Sequence, residues 1–180
     1  MKLYLGCAQP PFHQQHLEIM GNVDEWTWVD LYVDHPNVRK WNATDLSEVD
    51  NNSCEAIYAS HLLEHLPQVD VPRVLRHWYD KLQDGGKLIL NVPDMTWLAR
   101  RVLDLAGGKT LDGYYTDWTG EHGLMNIVYG AQSHEGEYHK SGFHKEYLEQ
   151  ILRDAGFQTA MAMTAYDAHD MGIVFAEAYK

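Results

Sequence analysis

Apolar positions along the chain alternate between short solid runs and stretches with helical spacing, most clearly from Cys54 to Pro93. Cys54-Glu55-Ala56-Ile57-Tyr58-Ala59-Ser60 is a compact apolar run bounded by polar turn signals, the mark of a largely buried strand. From Val71 to Leu82 the apolar residues fall at Val71, Val74, Leu75, Trp78 and Leu82, the stripe of an amphipathic helix. Pro72 suits the first helical turn, where a missing N–H costs nothing. The spacing predicts that Asp84-Gly85-Gly86 ends this helix through a left-handed glycine. Lys87 to Pro93 then predicts a second buried strand. Strand, helix and strand of this length form a βαβ unit with parallel, neighbouring strands.

The same reading extends over the whole chain. Lys2 to Ala8 is short, apolar and interrupted by Gly6, as expected of a central parallel strand delivering a tight turn. Gln9-Pro10-Pro11-Phe12 is forced into extended backbone by its prolines, and His13 to Met20 supplies a helix with His13 and His16 facing solvent. Glu25 to Leu31 predicts a second strand and Asn37 to Leu46 a short third strand with a turn. Met95 to Ala106 has helical spacing and is stopped by Gly107-Gly108. His144 to Phe157 carries a stripe of Tyr147, Leu148, Ile151 and Leu152, capped by Gly156. Gln158–Thr164 and Gly172–Tyr179 are two strands around a short turn and must be antiparallel. Only Lys109 to Phe143, rich in glycine, tyrosine and histidine, lacks a regular pattern. A long aromatic segment of this kind inside a compact domain is a candidate functional cover.

Composition narrows the classes. A chain of 180 residues with 45% hydrophobic and 22% charged positions is one globular domain, residues 1–180. A net charge of −12 excludes a protein that coats nucleic acid, because phosphate contacts need clustered Lys and Arg. A nucleotide held locally stays admissible. Two cysteines, Cys7 and Cys54, form no framework, so a reduced cytoplasmic compartment is expected. No leader pattern and no apolar run of spanning length is present, and no membrane association is expected.

Candidate chemistry collects at the predicted strand ends. Asp30 closes the second strand, and a carboxylate there can accept from both hydroxyls of a ribose; Asp34 is a nearby alternative. Asp45 can cap its own turn with its side chain. Ser60 and His61 lie at the C-terminal edge of the Cys54–Ser60 strand, where open parallel sheets bind ligands. His61-Leu62-Leu63-Glu64-His65 matches H-x-x-E-H, a zinc-peptidase signature. That chemistry needs both histidines on one helical face and a third ligand, whereas here the pattern starts directly after a strand, so no metal is expected from it.

Tyr58 to His65, the Leu82-Gln83-Asp84-Gly85-Gly86 turn and Leu90-Asn91-Val92-Pro93-Asp94 together resemble the class I S-adenosylmethionine (SAM)-dependent methyltransferases, most closely small bacterial members. The resemblance implies a three-layer α/β sandwich with a mostly parallel seven-stranded sheet and an antiparallel C-terminal strand. It implies SAM as cofactor and a small-molecule acceptor. On this likeness Gly6, Cys7 and Ala8 pass under the methionine part of SAM, with Ala8 where the family repeats glycine. Asp30 and Leu31 lie at the ribose, Asp45 and Leu46 at the adenine, and Ser60 and His61 at the next strand end. Residues 109–143 would cover the acceptor, with Tyr129 to Gln132 and His139 to Phe143 as recurring pieces. Candidates for a general base are His134, His139, His144 and Asp94. Rival readings are a SAM-fold protein that binds without turnover, a NAD-dependent oxidoreductase, disfavoured by the lack of G-x-G-x-x-G after the first strand, and the zinc peptidase.

Overall fold

The computed structural model describes residues 1–8, 10, 12, 14–111, 123–167 and 171–180. Its elements in chain order are β1 (Lys2–Leu5), α1 (Gln14–Met20), β2 (Trp26–Val29), β3 (Val38–Arg39), β4 (Cys54–Ser60), α2 (Val71–Lys81), β5 (Leu82–Pro93), α3 (Met95–Ala106), α4 (Leu124–Tyr129), α5 (Lys145–Asp154), β6 (Thr159–Tyr166) and β7 (Gly172–Tyr179). One seven-stranded sheet runs in the order β3-β2-β1-β4-β5-β7-β6. The first five strands pair in parallel. β7 is antiparallel to both of its neighbours, β5 and β6. The expected sheet, with one antiparallel C-terminal strand, is the observed one.

Both faces of this sheet are covered, which is why its central strands read as unbroken apolar runs. Successive side chains point to opposite faces. Leu3, Leu5, Ile57, Leu88 and Leu90 join Val74, Leu75 and Trp78 of α2 and Leu148 and Leu152 of α5 in one core. Tyr4, Tyr58 and Ile89 meet Met20 of α1 in a second. A third, smaller cluster sets Leu98 of α3 against Leu124 and Ile127 of α4 and Ile173 of β7. Among the described residues no helix is long and apolar enough to cross a membrane.

Three local expectations change. α2 ends at Lys81, and Leu82 is already extended and paired with Cys54. Leu82 is fully buried, so continuing the helix would give up both that packing and the strand pairing. Gly85, with φ of +73°, therefore serves a register shift in the β4–β5 pair rather than a helix cap. His16 does not face solvent: its Nδ1 is 2.8 Å from the Tyr58 hydroxyl and its ring tilts over Tyr4. His13 lies outside the described residues. Finally, β6 extends to Tyr166, two residues beyond its expected end.

β6 forms the sheet's edge. Two side chains of α5 reach its outward backbone: Glu149 Oε1 accepts from the Ala162 amide at 3.0 Å, and Arg153 donates to the Ala160 carbonyl at 3.2 Å. The same Arg153 pairs with the other carboxylate oxygen of Glu149 at 3.1 Å.

Candidate functional site

A cavity of about 650 Å³ opens at the C-terminal ends of β1, β2 and β4. Chain order reverses between β1 and β4, the switch point at which open α/β sheets bind ligands. Gly6, Ala8, Asp30, Leu31 and His61 border this cavity, so five of the nine predicted cofactor residues meet there.

The Asp30 carboxylate organises the floor. Its Oδ1 accepts from the amides of Tyr32 (2.8 Å) and Val33 (3.1 Å), and its Oδ2 accepts from Ala8 N at 3.1 Å. One side chain thus ties the loop after β1 to the loop after β2. Oδ2 keeps a second lone pair for a ligand hydroxyl. Gly6 packs so closely on Leu62 that an added Cβ would stand 3.0 Å from Leu62 Cδ1. Ala8 adopts φ of +53°. Left-handed backbone costs an L-residue roughly 1–2 kcal/mol, and the Asp30 hydrogen bond offsets part of that.

Four predicted cofactor residues fall elsewhere. Cys7 is buried in the Tyr4 core, and burial together with the Asp30 charge pushes its thiol up to about 12. Ser60 is buried, with Oγ 3.3 Å from Asn91 Nδ2. Leu46 is fully enclosed in the main core, and Asp45 does not border the cavity. The wall expected from those two is built by Trp41, Asn42, Ala43 and Thr44 instead. Asn42 caps that turn by accepting from the Thr44 amide (3.0 Å) and hydroxyl (2.9 Å), and Trp78 Nε1 pins it from α2 through the Ala43 carbonyl at 2.7 Å.

Of the base candidates, two reach the cavity. His134 and His139 border it, whereas His144 sits exposed at the start of α5, bound to Glu146, and Asp94 is a buried N-cap accepting from Thr96 N at 2.8 Å. The opposite wall comes from α4 and the loop after it, through Asn126, Ile127, Gly130 and Ala131. Residues 112–122 of the expected cover lie outside the described residues.

H-x-x-E-H is not a helical pair. Leu63–His65 is a single 3-10 turn and His61 has φ of +50°, so His61 and His65 do not share a helix face. His61 Nδ1 instead contacts Glu64 Oε1 at 3.0 Å. Burial acts against the His61 imidazolium, but the bond and charge of Glu64 outweigh it and hold the group above its ordinary value. Burial likewise opposes the Glu64 carboxylate, yet His61 and the neighbouring His65 and His139 keep it below its usual range. His65 is pushed down, chiefly by burial. Backbone bonds from Lys140 N (2.7 Å) and Ser141 N (3.1 Å) to the Glu64 carbonyl latch the distant 138–141 segment here. Sequence reasoning passed over this juxtaposition, since no local spacing connects Glu64 and His65 with His139.

A doubly covered, mostly parallel sheet with a carboxylate and a glycine turn at its switch point defines a nucleotide-cofactor α/β domain. The chain belongs to the methyltransferase-domain family, whose model matches residues 10–160. Solved structures with the same fold include a SAM-dependent methyltransferase from Archaeoglobus fulgidus (16% identity, 99% of this chain and 85% of that one, TM-score 0.63). Another is the Burkholderia thailandensis 1,6-didemethyltoxoflavin-N1-methyltransferase, solved with 1,6-didemethyltoxoflavin and S-adenosylhomocysteine (14%, 99% and 70%, TM-score 0.63). A third is the N-methyltransferase NodS from Bradyrhizobium japonicum, solved with S-adenosylhomocysteine (13%, 99% and 76%, TM-score 0.58). No curated protein matches the chain in sequence.

Proposed function

We propose that this protein is a cytoplasmic enzyme that transfers the methyl group of SAM to a small-molecule acceptor held in the cavity. The observation that carries this reading is the Asp30 carboxylate at the switch point, joined to the β1 loop through Ala8 N and still able to accept from a ribose hydroxyl. The turn of Trp41 to Thr44 supplies the adenine side, and the turn at Gly6 admits the methionine part by close backbone approach. The acceptor occupies the remaining space beneath α4 and the described part of 109–143. In the reaction the acceptor's lone pair forms the new bond to the methyl carbon as the sulfonium C–S bond breaks. The electron pair stays on sulfur and S-adenosylhomocysteine leaves. Alignment of the two reactants supplies much of the rate in such chemistry. An acceptor that must lose a proton has His134 on the cavity wall as a candidate base.

Calorimetric titration with S-adenosylhomocysteine tests the donor site. Loss of charge-assisted bonds in Asp30→Ala should weaken binding by roughly 1.5–3 kcal/mol, about ten- to a hundredfold. Unchanged affinity in a folded variant would remove Asp30 from the site. Absence of binding by the unaltered protein would overturn the methyltransferase reading as a whole.

A further inference from the structure

Glu64, His65 and His139 each bring one ligand-type atom within 4.8 Å of the others. Glu64 is only 1% exposed, and its Oε2 is buried with no hydrogen-bond partner. His65 Nδ1 is buried and equally unpartnered. Two unsatisfied polar atoms in one buried place are exceptional in a folded protein, and an ion that both can bind accounts for them together.

The surroundings are those of a supported ligand set. Glu64 Oε1 is taken by His61 Nδ1, which leaves Oε2 as the free donor atom. His139 Nδ1 lies 2.7 Å from the Ile127 carbonyl. A carbonyl only accepts, so Nδ1 carries the proton and Nε2 keeps the lone pair. Metal-binding imidazoles are commonly oriented by a bond of this kind at their other nitrogen. The backbone latch from Lys140 and Ser141 to the Glu64 carbonyl fixes the loop carrying His139 against the turn carrying the other two residues. The Lys140 ammonium is engaged by Glu135 at 2.7 Å, not by Glu64.

We propose that Glu64 Oε2, His65 Nδ1 and His139 Nε2 bind one divalent first-row transition metal ion, of which zinc is the reference case. Two imidazoles and one carboxylate suit such an ion, whereas magnesium and calcium prefer oxygen-rich sets. The first histidine of H-x-x-E-H is not a ligand but the residue that orients Glu64. His65 and His139 border the main cavity, so a coordination position left open there is available to a lone-pair oxygen or nitrogen of the acceptor. This last consequence rests on the methyltransferase reading; metal binding itself does not.

The test uses the full chain, stripped with a chelator and titrated separately with zinc and with cobalt(II), with elemental analysis and the visible cobalt spectrum as readouts. One ion per chain is expected. Glu64→Gln and, separately, His139→Gln should each weaken binding by about tenfold or more. His144→Ala, which alters an exposed histidine outside the cluster, should bind as the unaltered protein does. Failure to bind either ion stoichiometrically would overturn the proposal, as would affinity that survives both cluster substitutions. If Glu64→Gln does not fold, His139→Gln decides alone. S-adenosylhomocysteine titration of the metal-free protein separates the two readings: binding there without any metal site retains the methyltransferase and removes the metal.

Discussion

Gly130 is the residue whose replacement most directly probes the cavity's second wall. It follows α4 with φ of +77° and ψ of 172°, a region open essentially to glycine alone. A Cβ built there would stand 1.7 Å from the Glu137 carbonyl oxygen and 3.0 Å from His139 N. Those neighbours are backbone atoms, so no rotamer change relieves the overlap. Gly130→Ala must therefore separate 129–131 from 137–139 and break the bond from His139 N to the Tyr129 carbonyl, now 3.0 Å. The conformational strain costs about 1–3 kcal/mol and the lost bond about 0.5–1.5 kcal/mol, together on the order of 2–4 kcal/mol. With a urea slope of roughly 2–3 kcal/mol/M, the unfolding midpoint should fall by about 1 M. Gly85→Ala is the internal comparison, because Gly85 also has positive φ but nothing lies within 4 Å of the point where its Cβ would stand. It bears conformational strain without the clash and should lose less. Hydrogen exchange distinguishes global loss from local release, which would speed exchange across 123–143 at a nearly constant midpoint. An unchanged midpoint together with unchanged exchange in that segment would refute the reasoning.

Two further outcomes are expected. Asp94→Ala removes the α3 N-cap and should cost about 0.5–2 kcal/mol, with S-adenosylhomocysteine affinity preserved in calorimetry; a large loss of affinity would return Asp94 to the site. In chelated protein, the His61–Glu64 pair should stabilise most between about pH 4.5 and 6.5, the ordinary values of the two groups. The raised His61 value gives stability that is complete below 6.5 and fades as pH rises through it. The lowered Glu64 value gives stability that is complete above 4.5 and fades as pH falls. The difference in unfolding free energy between the unaltered protein and Glu64→Gln should peak in that window, and a flat difference would contradict the pairing.

The sheet was legible because burial on both faces leaves solid apolar runs, as at Ile57-Tyr58-Ala59 and Leu88-Ile89-Leu90. Asp30 was legible for a related reason: an apolar strand that ends abruptly on a carboxylate marks its own C-terminal edge. Asp45 and Leu46 missed the cavity by a residue or two, since the turn's placement depends on the Asn42 side chain and on Leu46 anchoring the core. Neither dependence shows in spacing. Gly85-Gly86 misled because a glycine that frees a strand to shift register looks the same as one that caps a helix. The grouping of Glu64, His65 and His139 was beyond any local pattern, for it is made by backbone bonds between segments far apart in the chain.

The reach of α5 across β6 bears on how the molecule behaves in concentrated solution. Thr159 to Tyr166 is an eight-residue edge without charge or proline, and Met161 and Met163 are exposed along it, features that favour association between copies through strand edges. Glu149 and Arg153 occupy an amide and a carbonyl of that edge, so a second chain cannot zip along it without displacing them. The bond from the Ala162 amide, with the bond and charge of Arg153, keeps the Glu149 carboxylate below its usual range. Acid strong enough to protonate this carboxylate removes an obstacle to intermolecular pairing. Resistance to edge-to-edge pairing thus leans on one helix–strand latch, remote from the cavity, which should hold through mild acid and open only below the ordinary carboxylate range, where clumping should begin.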